Sequence, residues 1–190
     1  MIRQATPEDA VFASPLIYEA IGDIAHSLTG ATDPQEAIRV MSQFFAQPNN
    51  RLSYQNALIA VDEDKGEPIG LALFYHGSQT KQLDQPFVAY VEQVTGTAPV
   101  IVKEARDDEF YLDTAVVKAE YRGKGIGKSL LKAFEQESKH RGYDKISLLV
   151  DQENPSARRL YEAIGYHQDG TIVVSGHLFS HMVKNLTVWV

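Results

Sequence analysis

The feature that most constrains this chain is the run Arg122-Gly123-Lys124-Gly125-Ile126-Gly127-Lys128-Ser129. It stands between an apolar run, Phe110 to Val117, and an amphipathic helical pattern that begins at Ile126 and places Leu130, Leu131 and Phe134 on one face. A strand that passes through a glycine turn into a helix directs backbone N–H groups toward one point. Glycine lets the main chain approach an anion closely, and the helix N-terminus adds the positive end of its dipole. Arg122, Lys124 and Lys128 bring three cations into one turn, where they repel one another unless an anion lies among them. The turn therefore predicts a phosphate-bearing cofactor. Two familiar phosphate loops do not fit. The pattern G-x-x-x-x-G-K-[ST] would end on Gly127-Lys128-Ser129 and needs glycine where Arg122 stands. The dinucleotide pattern G-x-G-x-x-G needs glycine where Lys128 stands.

The charge balance sharpens this reading. A formal net charge of −7 disfavours non-specific nucleic-acid binding, so the basic turn is a local exception in an acidic protein. Cysteine is absent, which excludes disulfides, thiol catalysis and cysteine-ligated zinc. His177 and His181 are four residues apart with no third ligand in view, so no metal site is expected. No apolar run approaches the ~18 residues of a membrane span, and Met1 to Thr6 lacks an apolar signal core. A soluble cytoplasmic protein is the expectation, with Asn185-Leu186-Thr187 a chance glycosylation sequon.

The rest of the chain reads as one domain over 1–190 with alternating strands and helices. Ile2 to Thr6 is a strand candidate. Thr6-Pro7 opens a helix, and Asp33-Pro34-Gln35-Glu36 opens another that carries Ala37, Ile38 and Met41 at helical spacing. Asn56 to Val61 and Ile69 to Phe74 form a predicted hairpin across Glu63 to Gly66. Lys145 to Val150 is a buried-type strand, and Ala157, Leu160, Tyr161 and Ile164 mark a short helix. Tyr166 to Val174 and His177 to Leu186 are strands split at Ser175-Gly176. Residues 76–108 are an unusually long connection. They contain a helix pattern over Gln85 to Val94 and too many apolar residues for disorder.

About thirty residues beyond the glycine turn comes Asn154-Pro155-Ser156-Ala157-Arg158-Arg159-Leu160-Tyr161-Glu162-Ala163-Ile164-Gly165-Tyr166. The turn and this segment, in this order with a strand between, resemble the two motifs of the GNAT superfamily of N-acetyltransferases: the Q/R-x-x-G-x-G/A loop and N-x-x-A-x-x-[LF]-Y-x-x-x-G-[FY]. The resemblance implies an α/β (α+β) fold, a mixed and mainly antiparallel sheet flanked by helices. It implies acetyl-CoA between two splayed strands, here Tyr111–Val117 and Lys145–Asp151. N–H groups around Val116 and Val117 would hold the thioester carbonyl. Arg122, Gly123, Lys124, Gly125, Ile126, Gly127, Lys128 and Ser129 would form the pyrophosphate site, and Asn154 would bond the cofactor arm or cap its helix. Tyr161 would be the general acid for the thiolate, or else an ordinary core tyrosine.

An amine of pKa ~10.4 is almost wholly protonated at pH 7, so a base is needed. Asp113 is the candidate, because it interrupts an apolar strand where a bare carboxylate is costly. A carboxylate bonded to a neighbouring backbone group or to an arginine is the alternative reading, and Glu92 is a more distant candidate. The acidic run Glu104, Asp107, Asp108, Glu109 reads as a solvated loop or as the lining of the acceptor entrance, since it stands just before the central strand. The implied reaction is direct acetyl transfer to a primary amine, with a small-molecule acceptor. A protein lysine or N-terminal acetyltransferase and a non-catalytic acyl-CoA sensor are the alternatives. A homodimer through the C-terminal strands is expected, with Val188-Trp189-Val190 at the edge.

Overall fold

The computed structural model describes residues 1–187, so the C-terminal Val188-Trp189-Val190 of the expected dimer edge lies outside the described residues. The elements run β1 (Ile2–Gln4), α1 (Ala10–Ile21), α2 (Asp23–Thr29), α3 (Pro34–Phe45), β2 (Ala57–Val61) and β3 (Pro68–His76). They continue as α4 (Thr80–Thr95), β4 (Phe110–Val117), α5 (Ile126–His140), β5 (Lys145–Asp151), α6 (Pro155–Ala163), β6 (His167–Val174) and β7 (His177–Asn185). The strands form one seven-stranded sheet in the order β1-β2-β3-β4-β5-β7-β6. Every neighbour pair is antiparallel except β4 and β5. The open edge at the C-terminal end is β6, while β7 lies between β5 and β6.

Local chemistry accounts for the helix starts. The Asp33 carboxylate accepts from Glu36 N–H at 2.9 Å with Pro34 in the first turn, and Asn154 Oδ1 accepts from Ala157 N–H at 3.1 Å. The β6–β7 hairpin turns on Ser175 and Gly176, whose φ values of 49° and 79° suit a two-residue turn that follows strand twist. Helix α2 has no counterpart in the sequence reading. It starts after Gly22 (φ 53°), a break that splits what periodicity alone joins.

The sheet buries both faces. Leu71, Leu73 and Val116 pack under α1, α2 and α3 with Ile17, Met41 and Phe45. On the other face Ala72, Phe74, Phe110 and Leu112 pack against Leu130, Leu131 and Phe134 of α5. The long connection is ordered, and one face of α4 packs into the core. Phe87 of α4 is buried and stacks on Phe44 of α3 with ring centroids 4.1 Å apart. Its end is pinned where Gly77 N–H donates to Glu109 O at 2.8 Å. A Cβ on Gly77 would stand 1.7 Å from Arg106 O, so only glycine admits this close approach.

Two irregularities in β4 create the site. The parallel pairing with β5 ends at Leu112↔Leu148, so from Asp113 onward β4 leaves its neighbour. On its other side, Leu73 faces Thr114 and Phe74 faces Leu112, which leaves Asp113 as the extra residue of a β-bulge. The bulge resets the alternation, so that Tyr111 opposite Tyr75 and Val116 opposite Leu71 share one face.

Candidate active site

The glycine turn delivers what its composition requires. Gly123 and Gly125 have φ of 76° and 81°, and Gly125 is the residue from which α5 departs. The first bond of that helix runs from Ser129 N–H to Gly125 O, so the N–H groups of Ile126, Gly127 and Lys128 face out of its end. Lys124, Lys128 and Ser129 are exposed beside them. Arg122 differs from the sequence reading. Its Nη2 is 2.7 Å from Glu19 of α1 and its Nε donates to Val117 O at 2.9 Å. One of the three cations is thus already neutralised, and it ties the turn to α1 and the end of β4.

The gap between β4 and β5 has its own donors. Lys118 N–H bonds Ile69 O on the β3 side at 2.9 Å, and hydrogen-bonding direction alternates along an antiparallel strand. Val116, opposite Leu71, is therefore turned into the sheet. Ala115 and Val117 are turned into the gap, in keeping with Arg122 Nε reaching Val117 O from outside the β3–β4 ladder. Of the two residues expected to supply N–H groups, Val117 faces the opening and Val116 does not; its neighbour Ala115 does.

A cavity opens at the divergence, lined by Asp113, Thr114 and Ala115 of β4, Leu148 and Leu149 of β5 and Tyr161 of α6. Ala20, Ile21 and Ile24, at the junction of α1 and α2, cover it from one side. Burial pushes the Tyr161 phenol above its ordinary range, which keeps it protonated at neutral pH. Asn154 caps α6 through Oδ1, and Ala157 N–H is its partner.

The floor is a charge cluster that the sequence did not reveal. Arg51, 2% exposed, comes from the segment before β2. Its guanidinium lies 3.2 Å from Asp113, 3.4 Å from Asp84 of α4 and 3.5 Å from Glu104. An unpaired cation so deep would cost several kcal/mol, so the carboxylates are what make Arg51 tolerable there. The Tyr75 ring lies 5.6 Å from the guanidinium, and Tyr111 Oη donates to Glu104 Oε2 at 2.6 Å. Burial raises the Asp84 and Glu104 carboxyls above their usual range against the pull of Arg51. Asp113, read from sequence as a base or as a carboxylate bonded to backbone or arginine, is in contact with arginine and also lines the cavity.

The acidic run is divided rather than collected at the entrance. Only Glu104 lines the cavity. Asp107 pairs with Lys103, and Asp108 lies 2.8 Å from Lys145. Glu109 is fully buried against His181 Nε2 at 2.9 Å, and His181 Nδ1 contacts Asp169. His181 is thus a strand histidine, buried as a link between β7 and the connection. Glu92 does not line the cavity.

The family model for the acetyltransferase (GNAT) family matches residues 20–166. The chain belongs to the acetyltransferase (GNAT) family. The GNAT sheet and helices are shared along nearly the whole chain. A crystal structure described as an acetyltransferase is 32% identical, with a TM-score of 0.81 over 98% of this chain and 100% of that one. An N-acetyltransferase from Staphylococcus aureus Mu50 is 29% identical, with a TM-score of 0.83 over 96% of this chain and 99% of that one. The spermine/spermidine N(1)-acetyltransferase of Bacillus subtilis (strain 168) is 29% identical over 143 residues, which are 72% of this chain and 85% of that protein. The uncharacterized N-acetyltransferase YycN of the same organism is 43% identical over 58 residues, which are 30% of this chain and 36% of that protein. This GNAT protein is accordingly an N-acetyltransferase.

Proposed function

We propose that this GNAT enzyme transfers acetyl from acetyl-CoA directly to a primary amine of a small cationic molecule. The observation that carries the reading is the cavity, where the opening of β4, the Tyr161 phenol and a net-negative charge cluster meet. The N–H groups from Gly123 to Lys128, with Lys124, Lys128 and Ser129, hold the pyrophosphate, and Asn154 flanks the cofactor arm. Ala115 and Val117 pair with that arm and with the thioester oxygen as charge develops there. Tyr161 donates a proton to the departing thiolate. An ammonium group is drawn to the cavity by Asp113 and Glu104. The covered cavity favours a small acceptor over a folded protein, and a relative named for spermine and spermidine supports a cationic one.

The test is steady-state release of free coenzyme A with a panel of spermidine, diamines, lysine, glutamate and lysine-bearing peptides. Release with di- and polyamines ahead of peptides supports the reading. Release with peptides alone makes the chain a protein acetyltransferase. Tight acetyl-CoA binding with no release for any amine makes it a sensor.

A further inference from the structure

Glu104 and Asp113 approach the same nitrogen of Arg51, at 3.5 Å and 3.2 Å, and both line the cavity that Tyr161 lines. Thr114, buried beside them on the cavity wall, has an Oγ1 without a hydrogen-bond partner among the described residues. We propose that Glu104, paired with Asp113 across Arg51, is the group that accepts the proton of the incoming ammonium. This rests on the amine-acetylation reading above and assigns its base.

The choice of Glu104 over Asp113 follows from surroundings. The groups that face Glu104 are Arg51 from the segment before β2, Asp84 from α4, Tyr111 and Asp113 from β4, and, across the cavity, Tyr161 from α6. Beyond Arg51 stands Tyr75 from β3. Three carboxylates share one buried cation, so full ionisation leaves uncompensated negative charge in a poorly solvated place. Asp113 has the closer contact to the guanidinium, 3.2 Å against 3.5 Å for Glu104. Burial raises Glu104 most, Asp113 raises it further, and Arg51 only partly offsets them. A carboxyl moved toward neutrality is better matched to proton exchange near pH 7 than an ordinary one. The Tyr111 phenol, itself raised by burial, stays a donor and fixes the Glu104 carboxylate in place. Arg51 and Asp84 are positioning residues.

The step balances as follows. One N–H bond of the ammonium breaks and its proton goes to a Glu104 oxygen, leaving the nitrogen lone pair. The lone pair forms a C–N bond to the thioester carbon, and the C–S bond breaks. The second proton lost by nitrogen replaces the one that Tyr161 gives to sulfur. Glu104 then releases its proton to solvent.

Two measurements decide the proposal. The first is NMR titration of the Glu104 carboxyl carbon in the wild-type protein, assigned by triple-resonance experiments, which needs no turnover. A midpoint above the ordinary ~4.3, falling when Asp113→Asn removes the neighbouring charge, supports it. A midpoint at or below the ordinary value overturns it. The second is the pH profile of kcat/KM for Glu104→Gln. A loss on the order of 10²-fold at pH 7 that recovers toward the amine pKa, with unchanged acetyl-CoA affinity, supports it. A wild-type profile, or a parallel drop at every pH, overturns it. Absence of amine acetylation by the wild type would show in the amine panel and refute the functional reading, not the titration of Glu104.

Discussion

Arg51→Met is the most informative perturbation of this site. Methionine keeps an unbranched chain of comparable reach and deletes the charge. Arg51 is 2% exposed and lies within 3.5 Å of Asp84, Glu104 and Asp113. Its removal leaves three buried carboxylates without a counter-ion. Breaking a buried pair by deleting one partner costs about 3–5 kcal/mol, which for a chain of this size lowers Tm by roughly 6–20 °C. The pH dependence carries a sign. Asp84 and Glu104 have raised folded-state pKa values, so they contribute stability below their unfolded pKa of about 4 that is lost as pH rises through the folded values. Deleting Arg51 removes the group that lowers both, so it deepens that loss and extends it to higher pH. Urea unfolding followed by circular dichroism at pH 5 and pH 7.5 should show a deficit that is larger at pH 7.5. Adding Glu104→Gln to Arg51→Met should recover part of it. A deficit below about 1 kcal/mol, the scale of an exposed ion pair, or one independent of pH, would refute the buried-cluster reasoning.

Three further outcomes are expected. Tyr161→Phe should lower kcat by roughly 10-fold to 10³-fold while acetyl-CoA affinity, read by calorimetry, stays at the wild-type value; an unchanged kcat returns Tyr161 to a packing role. Gly77→Ala forces a Cβ to within 1.7 Å of Arg106 O, so the end of the connection must shift. A destabilisation of about 1–3 kcal/mol and a raised acceptor KM with an unchanged cofactor KM are expected, and equal loss of both constants would contradict this. His181 is held above its usual pKa, its desolvation outweighed by Glu109 and Asp169. Glu109 is held at about 2, its own desolvation outweighed chiefly by the bond to His181. Glu109 contributes stability above its unfolded pKa of about 4.3, and His181 below its unfolded value of about 6.5. Thermal unfolding should therefore show His181→Leu to be most costly near pH 5.5 and less so at pH 9, and a flat difference would dissociate the pair.

The sequence exposed the parts of the fold that local rules govern. The glycine turn, the Asp33-Pro34 and Asn154-Pro155 helix starts and the Ser175-Gly176 hairpin each carry their own chemistry within a few residues, and each appears where the residues place it. The failures share a cause, because they depend on contacts between distant segments. Arg51 lies 33 residues from Asp84 and 62 from Asp113, and a lone arginine in a polar stretch reads as solvated. Glu104 to Glu109 looks like one acidic surface run, yet Lys145, His181 and Arg51 come from three other places to divide it. The bulge at Asp113 depends on register with β3, which periodicity within β4 does not encode. The connection over 76–108 was legible as ordered from its apolar content; that Phe87 would stack on Phe44 was not.

The central claim is direct acetyl transfer to a small cationic amine at the divergence of β4 and β5. A single-turnover experiment tests it most directly: enzyme in excess over carbonyl-labelled acetyl-CoA, mixed with spermidine, quenched over time, with label followed on protein and on amine. The account predicts label passing to the amine with the rate of coenzyme A release and none on the protein at any time, as suits a chain without cysteine. Label that accumulates on the protein before the amine, or that stays in acetyl-CoA with every amine offered, would contradict it.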